Sequence, residues 1–401
     1  MDYTYILWLA VILLSTKALG LLTERAHQPQ VVGALLAGLI LGPSCFNVME
    51  ATDFIMQTAQ IGVLMLMFLA GLDTDIRQLR RTGPTSVFIA VLGVAVPLLL
   101  CGGIYMLFFK EKADFTGVMR GLYVGTVFAA TSVSITVETL TEMGKLQTEV
   151  GAAILGAALI DDVLGIVILS VIDSVSTSGG SVLSTLLLIV LFFVCTLVVG
   201  QVVIRLFRLV VRHHEHSRRL AVWALAFCFL LSWCAEEIFG VADITGAYFA
   251  GLILCNLSRG RKFIAKKMAV ASYLFFSPVF FASVGLRTDL HLISGDVLVL
   301  TLLLLLGALL SKLIGCGSAA RLRGLGRRDS LSVSIGMMSR GEVGLMVAQK
   351  GVACGMIDTV VFPAVILVVV VSCLVTPVLL KLSMAKPTAG TAPATDAGAD
   401  R

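Results

Sequence analysis

Asp161 and Asp162 stand side by side in LGAALIDDVLGIVIL, residues 155–169. Two carboxylates in an otherwise apolar run must be paired or wetted, because burying an isolated charge is costly. Neighbours on a helix point about 100° apart. One aspartate can therefore meet a partner helix while the other faces a cavity. Carboxylates this close repel, and a nearby ammonium opposes that repulsion. Lys312 is the only lysine deep inside an apolar run. Two carboxylates and one amine in a low-dielectric site can hold a bare monovalent cation or protons, but both together only at heavy cost. That competition is what exchanging a cation for protons requires. A purely structural ion pair would need one aspartate and one lysine, and it leaves the second aspartate without a purpose.

Two further charges lie deep in GMMSRGEVGLM, residues 336–346. Arg340 and Glu342 are two apart and do not face each other on a regular helix. Each needs a partner elsewhere, or the helix is interrupted. Gly341 and Gly344 permit a break, and Arg340 would then cap exposed carbonyls. The stretch FAATSVSITVETL, residues 128–140, carries Thr131, Ser132, Ser134 and Thr136. Their hydroxyls can bond backbone groups freed by a break. Hydroxyl-rich helices are also ordinary packing features, so the local sequence leaves both readings open. Lys17 lies near enough to the end of its run to snorkel.

The elements that must position these residues are membrane helices. Of 401 residues 58% are hydrophobic and 14% charged, and apolar runs of about 20 residues recur along the chain, the length that spans a hydrocarbon core. Barrel strands would alternate apolar and polar residues; these runs are apolar all round. The fold class is all-α and polytopic. Thirteen spans are expected, at 5–22, 29–47, 54–72, 84–109, 118–140, 149–173, 182–211, 220–239, 242–257, 268–286, 294–319, 330–350 and 357–383. Arg77, Arg80 and Arg81, the arginines from 205 to 219, the basic cluster at 259–267 and Arg321 to Arg328 all fall on one side. The positive-inside rule puts the N-terminus outside and the C-terminus in the cytoplasm. The start, MDYTY, lacks a basic n-region, so the first run is expected to be a retained helix. The nine cysteines form no CxxC pair and read as buried hydrophobes.

The chain repeats itself. GALLAGLILG at 33–42 matches GAYFAGLILC at 246–255 in seven of ten positions, and GLDTDI at 71–76 matches GLRTDL at 285–290. The offsets, 213 and 214, fit one duplication. Seven spans separate equivalent helices, so the halves must be inverted, as in secondary transporters with midplane sites. The expected organisation is a first six-helix repeat over 1–175, a linker helix over 176–216, a second repeat over 217–385 and a disordered tail over 386–401.

With these residues in view, the chain resembles the bacterial sodium/proton antiporters of the cation:proton antiporter superfamily, in the electrogenic branch. The Asp161–Asp162 pair is the most specific mark; sister branches carry Asn-Asp or Gln-Asp there. The resemblance implies two inverted six-helix repeats with two broken helices crossing at the midplane. It implies that Asp162 carries the cation or a proton and that Asp161 bridges to Lys312 when no cation is present. Sodium ligands would come from Asp162, Asp161 and Thr131, with Ser132 lining the site. Arg340 and Glu342 would stabilise the second crossing helix. It further implies a homodimer in the bacterial inner membrane, an elevator-like movement of a core past a static domain, and no cofactor or enzymatic chemistry. Related potassium efflux systems append a nucleotide-binding domain after the last span. Here a short tail and no GxGxxG fingerprint argue against ligand-gated potassium efflux, although potassium/proton exchange stays open.

RHHEHSRR at 212–219 gathers His213, His214 and His216 in a loop. A solvated basic loop is the plain reading, with a metal site or a pH sensor as alternatives. Topology explains the basic loops without a nucleic-acid partner. An intramembrane aspartyl protease would need two convergent carboxylates, and adjacent ones diverge. A non-transporting sensor on the same scaffold is distinguished by an absence of flux.

Overall fold

The computed structural model describes residues 3–26, 28–74, 76–110, 114–176, 182–213, 218–255, 257, 260–287, 295–353, 355–358 and 361–385. Among these every regular element is helical. In chain order they are α1 (Thr4–Arg25), α2 (Gln30–Leu41), α3 (Asp53–Asp73), α4 (Ile76–Phe108), α5 (Phe115–Ala129), α6 (Val133–Glu142), α7 (Glu149–Ser176) and α8 (Val182–His213). There follow α9 (Arg218–Trp233), α10 (Asp243–Leu254), α11 (Gly260–Ala271), α12 (Ser277–Leu286), α13 (Gly295–Leu322), α14 (Arg327–Gly336), α15 (Glu342–Ala353) and α16 (Val361–Met384). A π-helical turn closes α9 (Cys234–Ile238) and another joins α11 to α12 (Ser272–Phe276).

Nine helical stretches among the described residues are long and apolar enough to cross a membrane. α2 and α10, at 12 residues each, are shorter. The sequence reading runs the α2 span on to residue 47. The helix instead stops at Leu41, because Gly42 turns extended and Pro43 cannot continue it. α4 begins at Ile76 rather than 84, with Pro84 and Pro97 inside it. The 386–401 tail, His214, His216 and residues 288–290 of GLRTDL lie outside the described residues; His213 ends α8.

The helices pack as two bundles. One gathers α4, α5, α6, α7, α13, α14, α15 and α16, with α4 against both α7 and α13. The other gathers α1, α2, α3, α9, α10, α11 and α12. Contacts between the bundles are few: α6 on α2 and α3, and α16 on α2; α8 belongs to neither and bridges them, lying against α7 of one and α9 and α10 of the other. α8 shows an apolar outer surface, with Leu183, Leu187, Val190, Leu197 and Val198 exposed, as a lipid-facing helix would.

The duplicated motifs turn out to be contact surfaces. Gly38 of the first copy lies against Ala282 and Gly285 of α12. Gly251, the equivalent position, lies against Phe68 and Gly71 of α3. Gly71 and Gly285 are themselves equivalent positions of the second motif pair. One contact is thus made twice, each time between the two halves of the chain. A Cβ at Gly38 would fall on the Ala282 carbonyl oxygen, so backbones approach as small residues alone allow.

The hydroxyl-rich run and the SRG run are both interrupted. α5 stops at Ala129 and α6 starts at Val133; α14 stops at Gly336 and α15 starts at Glu342. The two breaks cross and bind each other. The Ser132 N–H donates to the Ser339 carbonyl at 2.8 Å, and the Ser339 hydroxyl donates to the Ser132 carbonyl at 2.9 Å. Thr136 Oγ1 donates to the Gly336 carbonyl at 2.7 Å. On the far side, the Arg340 N–H donates to Ser372 Oγ of α16 at 3.0 Å. Arg340, fully buried, reaches the carbonyls of Ala130 and Met337 with Nη1 at 3.4 and 3.5 Å, and that of Ala308 on α13 with Nη2 at 3.0 Å. Ala130 and Met337 are the C-caps of α5 and α14, the negative ends of two half-helices.

Two outcomes follow for thermal unfolding in detergent. Gly38→Ala and Gly251→Ala each lower stability by about 1–3 kcal/mol through overpacking, whereas Gly103→Ala, with open space around it, is neutral or stabilising. Arg340→Met lowers it by about 4–5 kcal/mol, three charge-assisted hydrogen bonds at roughly 1.5 each. Arg340→Lys fails to rescue, since one ammonium cannot span three carbonyls.

Candidate functional site

α7 carries both aspartates past the crossing. Asp161 turns toward α13, where Lys312 Nζ stands 3.3 Å from Oδ2 and 3.4 Å from Oδ1. Both side chains are fully buried. Such a pair adds little over apolar residues of the same shape, yet removing one partner typically costs about 3–5 kcal/mol. It is therefore weak evidence for stability and better evidence for a site whose charge state matters.

Lys312 reaches Asp161 past α4, which packs against both α7 and α13. Gly93 of α4 clears the way. A Cβ there would press on Cys316 Sγ and stand 3.6 Å from Lys312 Nζ. Sequence reasoning missed Gly93, although a lone glycine in the apolar run VFIAVLGVAV was the available signal. It also missed Ser339 and Ser372, whose role shows only once the breaks cross.

Asp162 is buried, at 5% exposure, and one residue along α7 from Asp161. Its side chain points roughly 100° away from the Lys312 pair. Thr131 and Ser132 are buried at the α5–α6 break. Thr131 Oγ1 lies 3.5 Å from the Ala129 carbonyl, the limit of a hydrogen bond, and Ser132 Oγ lies 3.4 Å from Ser134 Oγ. The structure thus joins Asp161 to Lys312 and Arg340 to both breaks. It holds Asp161 on the lysine. The Glu342 side chain lies outside what the structure describes; its backbone opens α15.

Chemically, the cluster holds two carboxylates and one amine. Among the described residues no three of His, Cys, Asp and Glu converge as a metal cage would. Net charge with the amine protonated and both carboxylates ionised is −1, which one monovalent cation or one proton balances. The half-helix ends beside it supply partial charges without further ionisable groups.

Comparison with known proteins places the chain among cation/proton antiporters by sequence and fold. The chain is 32% identical over 386 residues to the Na(+)/H(+)-K(+) antiporter GerN of Bacillus cereus, covering 95% of this chain and 96% of that one. It is 31% identical over 378 residues to a Na(+)/H(+) antiporter of Enterococcus hirae, covering 93% and 96%. Its fold matches the sodium proton antiporter MjNhaP1 from Methanocaldococcus jannaschii at pH 8 with a TM-score of 0.71, covering 94% of this chain and 96% of that one. At 19% identity that likeness is one of fold. Residues 10–386 match the family described as sodium/hydrogen exchanger, transmembrane, and the chain belongs to that family.

Proposed function

We propose that the chain exchanges sodium (or lithium) for protons across a bacterial inner membrane by alternating access, one cation against two protons. The observation that carries this reading is the fully buried Lys312–Asp161 pair beside a buried Asp162. In one state Asp162 holds a proton and Lys312 is an ammonium bridged to Asp161. In the other, a cation sits on Asp162, the bridge opens, and Lys312 gives up its proton. Two protons leave as one cation enters, so each cycle moves one net charge. Membrane potential then acts on the cycle at about 2.3 kcal/mol per charge per 100 mV.

The sparse contacts between the bundles support a movement of one past the other. In this reading residues 1–175 and 217–385 are the inverted repeats and the chain works as a homodimer. The distribution of basic loops supports an N-terminus outside, and in this reading cytoplasmic sodium leaves as external protons enter. Potassium is the second reading, favoured by the likeness to GerN, a Na(+)/H(+)-K(+) antiporter. Cavity size and field strength set ion choice.

In proteoliposomes, sodium or lithium is expected to drive proton flux, with half-saturating cation rising as pH falls because the two ligands compete. Asp162→Asn abolishes the flux. Flux with potassium alone selects the second reading, and no flux with any ion removes both. The double variant Asp161→Asn/Lys312→Met leaves no orphan charge and deletes one of the two protons. Its exchange becomes one for one and ceases to respond to an imposed potential; an undiminished voltage response would refute the assigned stoichiometry.

A further inference from the structure

A cavity of 640 Å³ lies between α1, α2, α6 and the π-turn that leads into α12. Lys17, Glu138, Glu142 and Tyr273 are on its wall. Thr136 turns α6 toward the crossing by its bond to Gly336. Glu138, two residues on, points roughly 200° away, into the cavity. It is 6% exposed, and its Oε2 has no hydrogen-bond partner. Glu142, one turn further, is exposed and accepts the Gln30 N–H at 3.0 Å.

Three features of this placement disfavour a carboxylate at Glu138. It is buried without a partner. A like charge sits four residues away on the same face. Both glutamates occupy the C-terminal half of α6, the negative end of a helix. Lys17, exposed across the cavity, and Lys381, whose charge reaches Glu142, supply two positive charges against the three negative of Glu24, Glu138 and Glu142. A bound monovalent cation answers all three features at once. Glu142 marks the mouth and Glu138 the floor. The floor is six residues, about 9 Å of helix rise, from Ser132 at the break.

We propose that Glu138 is a second cation station, which takes a monovalent cation entering past Glu142 and hands it toward the α5–α6 break. The hand-over rests on the exchange reading above; the station itself does not. The test uses Asp162→Asn, in which the midplane site is disabled. Its thermal unfolding midpoint is measured over a sodium chloride series against choline chloride at equal ionic strength. Sodium is expected to stabilise this variant. Adding Glu138→Gln raises the half-maximal sodium concentration about tenfold, the loss of one charge-assisted contact.

A second readout uses Glu138→Asp, which keeps the carboxylate and withdraws it by one methylene. In oriented proteoliposomes its half-saturating sodium rises more at the face where α6 ends than at the opposite face. Absence of sodium stabilisation in Asp162→Asn, no effect of Glu138→Gln on it, or equal shifts at both faces overturns the station while leaving exchange intact. Stabilisation that depends on Glu138 in a protein whose wild type drives no proton flux keeps the station and removes the exchange.

Discussion

Inside a bilayer a helix can break only where something replaces the backbone hydrogen bonds that water would otherwise make. Among the described residues that condition is met at one crossing, for two helices together. The breaks at 130–132 and 337–341 satisfy each other through the reciprocal Ser132–Ser339 bonds and the Thr136 bond to Gly336. Arg340 then closes on the carbonyls left at the ends of α5 and α14. Neither break would be tolerable alone. Gly341 belongs to the same requirement, because a Cβ there would collide with Ser132 Oγ. The position of every ionisable group in the site follows from this crossing.

The two bundles differ in how they are held. In one, paired glycines bring α2 onto α12 and α10 onto α3 with backbone almost touching backbone. Such contacts are short-ranged and unforgiving, and they suit a frame. In the other, polar groups meet at the midplane and α4 separates the two helices that supply the ion pair. The joins between bundles are thin, and at one end they include exposed hydrogen bonds from Gln30 to Glu142 and from Gln147 to the Asp73 carbonyl. Exposed polar contacts exchange readily with water. A frame and a polar core joined in this way can shift against each other without opening either interior.

Much of this was legible in the sequence, for identifiable reasons. A charge in an apolar run is costly enough that Asp161, Asp162, Lys312 and Arg340 each announce a partner. The duplicated glycine motifs announce a contact, though not that each half makes it with the other. The hydroxyl run left a break undecided, because Thr and Ser satisfy backbone groups in whole and broken helices alike. Ser339 and Ser372 stayed silent, since their meaning is a distance between helices far apart in the chain, and the lone glycine at 93 marked a close approach without naming what approaches. The end of α2 was misjudged because an apolar run was read through Gly42 and Pro43. Nothing in the sequence reading singles out Glu138; only the cavity beside it shows a buried side chain whose Oε2 has no partner.

The site contains two cations of different kind, and the difference is functional. Arg340 keeps its proton under all ordinary conditions, so its hold on Ala130, Met337 and Ala308 is the same whatever the site contains. Lys312, one turn from Ala308 on the same helix, has an amine that can be neutral or charged as burial and partners dictate. Assigning the fixed charge to the backbone breaks and the variable charge to Asp161 separates two tasks. In the proposed exchange the crossing would stay intact while the ion pair opens and closes. Were the two exchanged, each change of proton occupancy would release the carbonyls at the midplane. An arginine facing Asp161 would never yield its place to a cation. Lysine at 312 and arginine at 340 thus fit the proposed cycle, in which one interaction must survive and the other must not.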